Sequence, residues 1–215
     1  MSGGAGPAKP IVLPIPAGRN PTAAELAAAH GVSIPDVLAP NLRVLFCGIN
    51  PGLWSGATGR HFARPGNRFW PALYAAGFTP RLFRPDEQDE LTALGLGITN
   101  VVARTTARAD ELTRDEYRAG GAALTARVRE YRPAWLAVLG IGAYRTGFGR
   151  PKAVVGRQPE TIDDTRIWVL PNPSGLNAHW TATTLAEAFT TLRTTAFARP
   201  RDAGPTEQPA DPDAG

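Results

Sequence analysis

The chain has 215 residues, 43% of them hydrophobic, and a formal net charge of +4. That length suits a single domain with a sizeable core, and no apolar run approaches the ~20 residues needed to cross a bilayer. Cys47 is the only cysteine, which excludes an internal disulfide and a cysteine metal cluster. The N-terminal stretch lacks the charged start and continuous apolar run of a signal peptide, so a cytoplasmic location is expected.

In chain order, residues 1–21 are rich in Pro, Gly and Ala without periodicity and read as a disordered tail. "PTAAELAAAHG" has high helix propensity between Pro21 and Gly31. Residues 1–41 are thus expected to be an extension, partly disordered with a short helix, and residues 42–198 the domain proper. "LRVLFCG" is a short buried strand, and "NRFWPALYAAG" a helix that starts near Phe69 or Trp70, because Pro71 fits only a first turn. "PDEQDELTALG" reads as a helix and "GITNVV" as a strand. "TRDEYRAGGAALTARVREY" is the clearest helix, with Thr113 as cap, Glu116 three residues on, and Gly120-Gly121 as a place for close packing. "AWLAVLG" and "RIWVLP" are further strands, "IGAYRTGF" and "ATTLAEAFTTLRTTAF" further helices, and residues 199–215 an acidic disordered tail. Strands separated by helices give an α/β fold with a parallel or mixed sheet covered on both faces.

Ligands of such folds bind beyond the carboxyl ends of the strands. Two loops stand there, "GINPGLWSGATGRHFARPGNRFW" after the first strand and "PNPSGLNAHW" after the last. No Asp or Glu occurs between Asp36 and Asp86, an interval that holds Arg43, Arg60, Arg64, Arg68, Arg81 and Arg84 with His61. An acid-free basic stretch beside a Gly-rich loop points to a phosphate-bearing partner. The phosphate loop of nucleotide enzymes and the dinucleotide fingerprint are missing. His30, His61 and His179 lack metal-ligand spacing. Neither loop holds a carboxylate, so an Asp or Glu base is not expected, and Asn50 is the side chain left to orient a water.

"VLFCGINPG", "FARPGNRFW" and "WVLPNPSGLN", in this order and with "GITNVVARTT" and "EYRAGG" between them, resemble the mismatch-specific uracil-DNA glycosylases and their thymine-DNA glycosylase relatives. The resemblance runs from about Leu42 to Phe197. It implies a three-layer α/β sandwich with a central four-stranded, mostly parallel sheet, and hydrolysis of the N-glycosidic bond of a base flipped from duplex DNA, without metal or cofactor. It makes Asn50 the catalytic residue, an amide that orients a water facing the sugar C1′. Gly48, Ile49, Ser55, Phe62, Asn100 and Asn172 are the base-pocket positions by the same resemblance. In that group, Phe62 stacks on the base, and backbone N–H groups near Gly48, Ile49 and Phe62 meet its edge. Asn100 reads equally as a pocket contact or a strand-end turn residue.

The resemblance further assigns Arg60, Arg64, Ser174, Gly175, Leu176 and Asn177 to DNA, with Leu176 filling the gap left by the flipped nucleotide. Where many bacterial relatives continue with Ser-Arg, this chain has Asn177-Ala178-His179, and Trp54 replaces a small residue expected at the pocket mouth. The implied partner is double-stranded DNA holding G·U or related mismatches, bound by a monomer that is nucleoid-associated when at work and feeds later base-excision-repair enzymes. The other reading is a mismatch- or abasic-site-binding module with little turnover.

Overall fold

The computed structural model describes residues 13–198 except 176 and 178. The apolar runs become the strands β1 (Val44–Gly48), β2 (Leu96–Asn100), β3 (Trp135–Leu139) and β5 (Thr165–Leu170), parallel to one another. Among the described residues the sheet has five strands rather than the expected four, in the order β2-β1-β3-β5-β4. The addition is β4 (Gly156–Ile162), antiparallel to β5 on the edge, with an irregularity in register between Arg157 and Thr161. Its sequence, GRQPETI, is polar and contains Pro159, which an edge strand tolerates because one side needs no ladder donor.

Period-two alternation divides the core. Val44, Phe46, Trp135, Ala137, Trp168 and Leu170 face one layer, while Leu45, Cys47, Leu136, Val138, Ile167 and Val169 face the other. The first layer consists of α3 (Phe69–Ala75), the 3₁₀ turns of Pro85–Leu94 and α6 (Ala182–Phe197). The second is α4 (Arg114–Tyr131) with α5 (Ile141–Gly147). Thr113 caps α4 in the expected capping box with Glu116. A Cβ on Gly120 would stand 2.3 Å from the Val101 carbonyl oxygen, and one on Gly121 2.1 Å from that of Gly147. The Gly-Gly pair is therefore what lets α4 come this close to its neighbours.

The stretch "PDEQDELTALG" winds as 3₁₀ rather than α-helical turns, and ends at Gly95, φ 70°. A short helix absent from the sequence reading, α2 (Leu53–Thr58), opens the first loop and stops at Gly59, φ 67°. Residues 13–41 lie against the body. Helix α1 (Ala23–Ala28) follows a Thr22–Glu25 capping box, Ile15 and Ala29 are buried, and Val37 bridges Ile98 beside β2.

The chain leaves β1 toward β2 on one side and returns past β1 to β3 on the other. The strand order therefore reverses between β1 and β3, where an open parallel sheet parts to admit a ligand.

Candidate functional site

The carboxyl ends of β1, β2 and β5 open onto one cleft of about 390 Å³, within the ~300–1,000 Å³ of small-ligand sites. Gly48, Ile49, Asn50, Ser55, Phe62, Arg64, Asn100, Asn172 and Ser174, expected from two distant loops and β2, all line it. The two loops touch: Gly175 packs so closely on Gly66 that a Cβ would stand 2.6 Å from its carbonyl oxygen.

Asn50 follows β1 in the Asn-Pro-Gly turn. Its Nδ2 donates to the Arg104 carbonyl at 3.0 Å and to Thr106 Oγ1 at 2.7 Å. Thr106 Oγ1 in turn donates to the Arg108 carbonyl at 2.8 Å, so it meets Asn50 as an acceptor. Two acceptors on one side fix which end of the amide is NH₂. Oδ1, without a protein donor among the described residues, is left as the acceptor this side chain presents to the cleft.

Asn100 closes the floor. Its Nδ2 lies 3.3 Å from Nδ1 of His61, whose Nε2 is 3.0 Å from the Pro35 carbonyl. A carbonyl only accepts, so Nε2 carries the proton, and Nδ1 accepts a hydrogen bond that the Asn100 amide donates. Burial holds the His61 pKa below its ordinary value, against the raising effect of the Pro35 bond, and the ring is neutral at neutral pH. Asn100 is thus a buried pocket residue with a partner rather than a turn residue.

Phe62 stacks on Phe69 with centroids 4.1 Å apart and 23° between planes, and its ring also lines the cleft. It stands at φ 53°, a left-handed conformation costly for an aromatic residue. Neighbouring bonds hold it there: His61 N–H to Gln88 Oε1, Trp70 Nε1–H to the His61 carbonyl, and Ala63 N–H to Ser55 Oγ. Ser55 therefore serves the turn as well as the wall. Gly48 cannot carry a side chain, because a Cβ would stand 2.5 Å from Asn100 Oδ1 and 3.3 Å from Phe62 Cζ.

In the second loop, Asn172 Oδ1 accepts from the Ser174 N–H, and Asn177 Nδ2 donates to the Asn172 carbonyl. The Asn177 side chain is committed to the loop's own shape. Leu176 and Ala178 lie outside the described residues. Arg68 grips this loop, donating to the carbonyls of Ser174 at 2.6 Å, of Asn177 at 2.9 Å and of Trp180.

The acid-free arginine stretch needs correction. Arg68 is a clamp, Arg43 donates to the Ala196 carbonyl, and Arg81 and Arg84 pair with Glu87, Glu90 and Asp86, which follow them in the chain. Arg64 remains at the cleft. Arg60 and Trp54 lie instead on a neighbouring groove beside residues 15–20, so Trp54 does not narrow the cleft mouth.

A third wall, Thr106–Asp110 after β2, was not anticipated. It brings a carboxylate, Asp110, to a site expected to have none. Its hydrogen bonds with Arg108 pull its pKa below the ordinary value, which makes it an ionised, paired group and a weak base. The signal was available: by the rule used for the other two loops, the segment following β2 belongs to the same rim.

Residues 35–193 match the family model of the uracil DNA glycosylase superfamily. Among solved structures, the chain is similar to the solution structure of a candidate uracil DNA glycosylase from Methanosarcina acetivorans. The TM-score is 0.50 at 18% identity, over 76% of this chain and 98% of that one. This second likeness bears on the fold, and it agrees with the layered α/β sandwich found here.

Proposed function

Because the chain belongs to the uracil DNA glycosylase superfamily, a family of DNA-repair hydrolases, we propose that it excises uracil turned out of duplex DNA, including uracil opposite guanine. The carrying observation is the fixed amide of Asn50 at the mouth of β1, with both protons bound behind it and Oδ1 left for a water. A base inside the duplex cannot be reached, so the nucleotide must leave the stack first. Phe62 then stacks on the pyrimidine from one side, and the Asn100 amide and the backbone near Ile49 meet its polar edge.

An amide does not deprotonate water at neutral pH. The C1′–N bond therefore breaks ahead of attack, and the pair of electrons leaves with the base. Preorganised N–H dipoles around the base stabilise that charge. The water held by Asn50 gives its hydroxyl to C1′, and its proton ends on the departed base. Asp110, held ionised by Arg108 at the rim, is no rival for this role.

The reading of the opposite strand rests on sequence alone. Leu176 is the proposed wedge, and Ala178 stands where many bacterial relatives carry an Arg, so the demand for guanine across from the uracil is relaxed. Full-length protein is incubated with G·U, A·U, G·T and single-stranded uracil substrates, followed by alkali to cleave abasic sites. Excision from G·U, retained from A·U, is the expected result. Binding without strand breaks on any uracil substrate would refute the glycosylase reading in favour of a lesion-binding module.

A further inference from the structure

Two amides of the cleft, Asn50 and Asn100, lead back to one segment outside the sheet. Thr105, fully buried, sits between the two residues that accept from Asn50. Each of its polar groups is bound by residues 31 and 32. Its N–H and Oγ1–H donate to the Val32 carbonyl at 2.8 and 2.6 Å, and its carbonyl accepts from the Gly31 N–H at 2.9 Å. Three residues on, the Pro35 carbonyl accepts from His61 Nε2, and Nδ1 of the same ring accepts from Asn100.

The junction is tight. A Cβ on Gly56 of α2 would stand 2.8 Å from Thr105 Oγ1 and 3.1 Å from the Ala29 carbonyl oxygen, so this helix, the end of α1 and the Thr105 turn meet where no side chain fits. A further tie, His30 Nε2 to Glu111 at 3.1 Å, holds the far end of the third wall.

We propose that residues 31–35 are the positioning layer of the site: through Thr105 they set the amide of Asn50, and through His61 that of Asn100. This strap adds neither helix nor strand to the sandwich, and apart from the Val32 N–H to the Ala29 carbonyl its hydrogen bonds run to Thr105 and His61. It directs its carbonyls to Thr105, the chain neighbour of both acceptors of Asn50, and to His61, which accepts from Asn100. Thr105 is thus a positioning residue, acting on the water only through Asn50. The proposal deepens the glycosylase reading and relies on it for the catalytic half of its test.

The test uses the ¹⁵N-labelled full chain as wild type, Thr105→Val and Thr105→Ser, with solvent exchange of the Asn50 and Asn100 side-chain amides read by NMR. Valine keeps the shape and the backbone bonds but loses the hydroxyl donor; serine keeps the donor. The expected result is an Asn50 exchange rate raised about tenfold by valine, as for loss of one buried hydrogen bond, restored by serine, with Asn100 unchanged. His61→Leu should do the converse, freeing Asn100 and leaving Asn50. In single-turnover excision from a G·U duplex, Thr105→Val should lower the rate about tenfold with duplex affinity unchanged, and Thr105→Ser should restore it. Equal Asn50 exchange in wild type and Thr105→Val overturns the proposal whatever the activity. Inactive wild type overturns the glycosylase reading alone. Should the valine variant fail to fold, unprotected Asn50 protons in the wild type would sink the idea by themselves.

Discussion

Replacing Asn50 by Asp tests whether the site is built around an amide or only around a polar group. The two shapes are nearly equal, but the side chain faces two acceptors, Arg104 O at 3.0 Å and Thr106 Oγ1 at 2.7 Å. A carboxylate offers neither a proton. Thr106 can turn its hydroxyl toward the new charge only by abandoning the Arg108 carbonyl. Two unmade bonds at ~1–3 kcal/mol each, partly offset by that turn, give a loss of about 2–4 kcal/mol, or about 5–15 °C in Tm for a chain of this size. Asn50→Ala removes the donors without adding a charge and should cost less, about 1–2 kcal/mol.

The pH dependence separates the two variants. In Asn50→Asp, a protonated carboxyl can donate to the Arg104 carbonyl, so folding favours the acid form and raises its pKa above the ~3.9 of the unfolded chain. Below that unfolded value both states are protonated, and the penalty is absent. It grows as pH rises toward the folded pKa and is complete above it. Thermal melts of wild type, Asn50→Ala and Asn50→Asp at pH 5 and pH 8 should therefore show a gap for the Asp variant that widens with pH and a constant gap for the Ala variant. In single-turnover excision at pH 8 both variants should fall by roughly 100-fold or more, as for a misplaced reactant, while duplex binding persists. An Asp variant as stable as wild type at pH 8, or more active, would show that the amide's protons do not point where the two acceptors require.

Gly48→Ala should lower stability by about 1–3 kcal/mol and excision along with it, because its Cβ meets Asn100 Oδ1 at 2.5 Å; calorimetry should find Gly142→Ala, whose Cβ meets nothing within 4 Å, no less stable than wild type. Burial depresses the His61 pKa, so its contribution to stability is intact above the ~6.5 of the unfolded state and declines as pH falls from there through the folded value; in His61→Gln, which can bond to both Asn100 and Pro35, melts between pH 5 and 8 should lose that limb. Arg64→Ala should reduce the slope of log affinity against log salt by about 0.9, the loss of one phosphate contact, with Arg60→Ala changing it less, whereas Arg68→Ala should lower Tm by loosening the second loop. Ala178→Arg should sharpen the preference for G·U over A·U by roughly 1–3 kcal/mol, measured as the ratio of excision rates; an unchanged ratio would remove this position from specificity.

What the sequence discloses depends on where each residue's partners lie. The central strands β1 and β3 are buried on both faces and read as continuous apolar runs, so LRVLFC and WLAVL needed no structure to be seen. Strand β4 is an edge with mixed burial and a proline, and its strand character comes from pairing with β5 rather than from its own residues. Helix α2 has six residues, two of them Ser55 and Gly56, and its tight approach is to Thr105 and the Ala29 carbonyl, far from it in the chain. The arginine stretch misled for the same reason. Composition shows an interval without acids, but Arg81 reaches Glu87 and Glu90 by folding back on the turns that follow.

The site divides along a similar line. Its two Asn-Pro loops were legible because close backbone approach demands Gly and Asn whatever surrounds them, as the Gly48 contacts with Asn100 and Phe62 show. The third wall was not, because its work is done by a backbone carbonyl, a threonine hydroxyl and a strap some seventy residues earlier in the chain, groups without a compositional signature. The outcome is a cleft with a neutral floor, Asn50, Asn100 and uncharged His61, and with charge confined to the rim at Arg64 and the Arg108–Asp110 pair. A neutral floor takes in a neutral base without the cost of burying an unpaired ion. It keeps its dipoles aimed at the place where negative charge develops as the glycosidic bond breaks, so the attraction grows toward the transition state instead of being used up on the bound base.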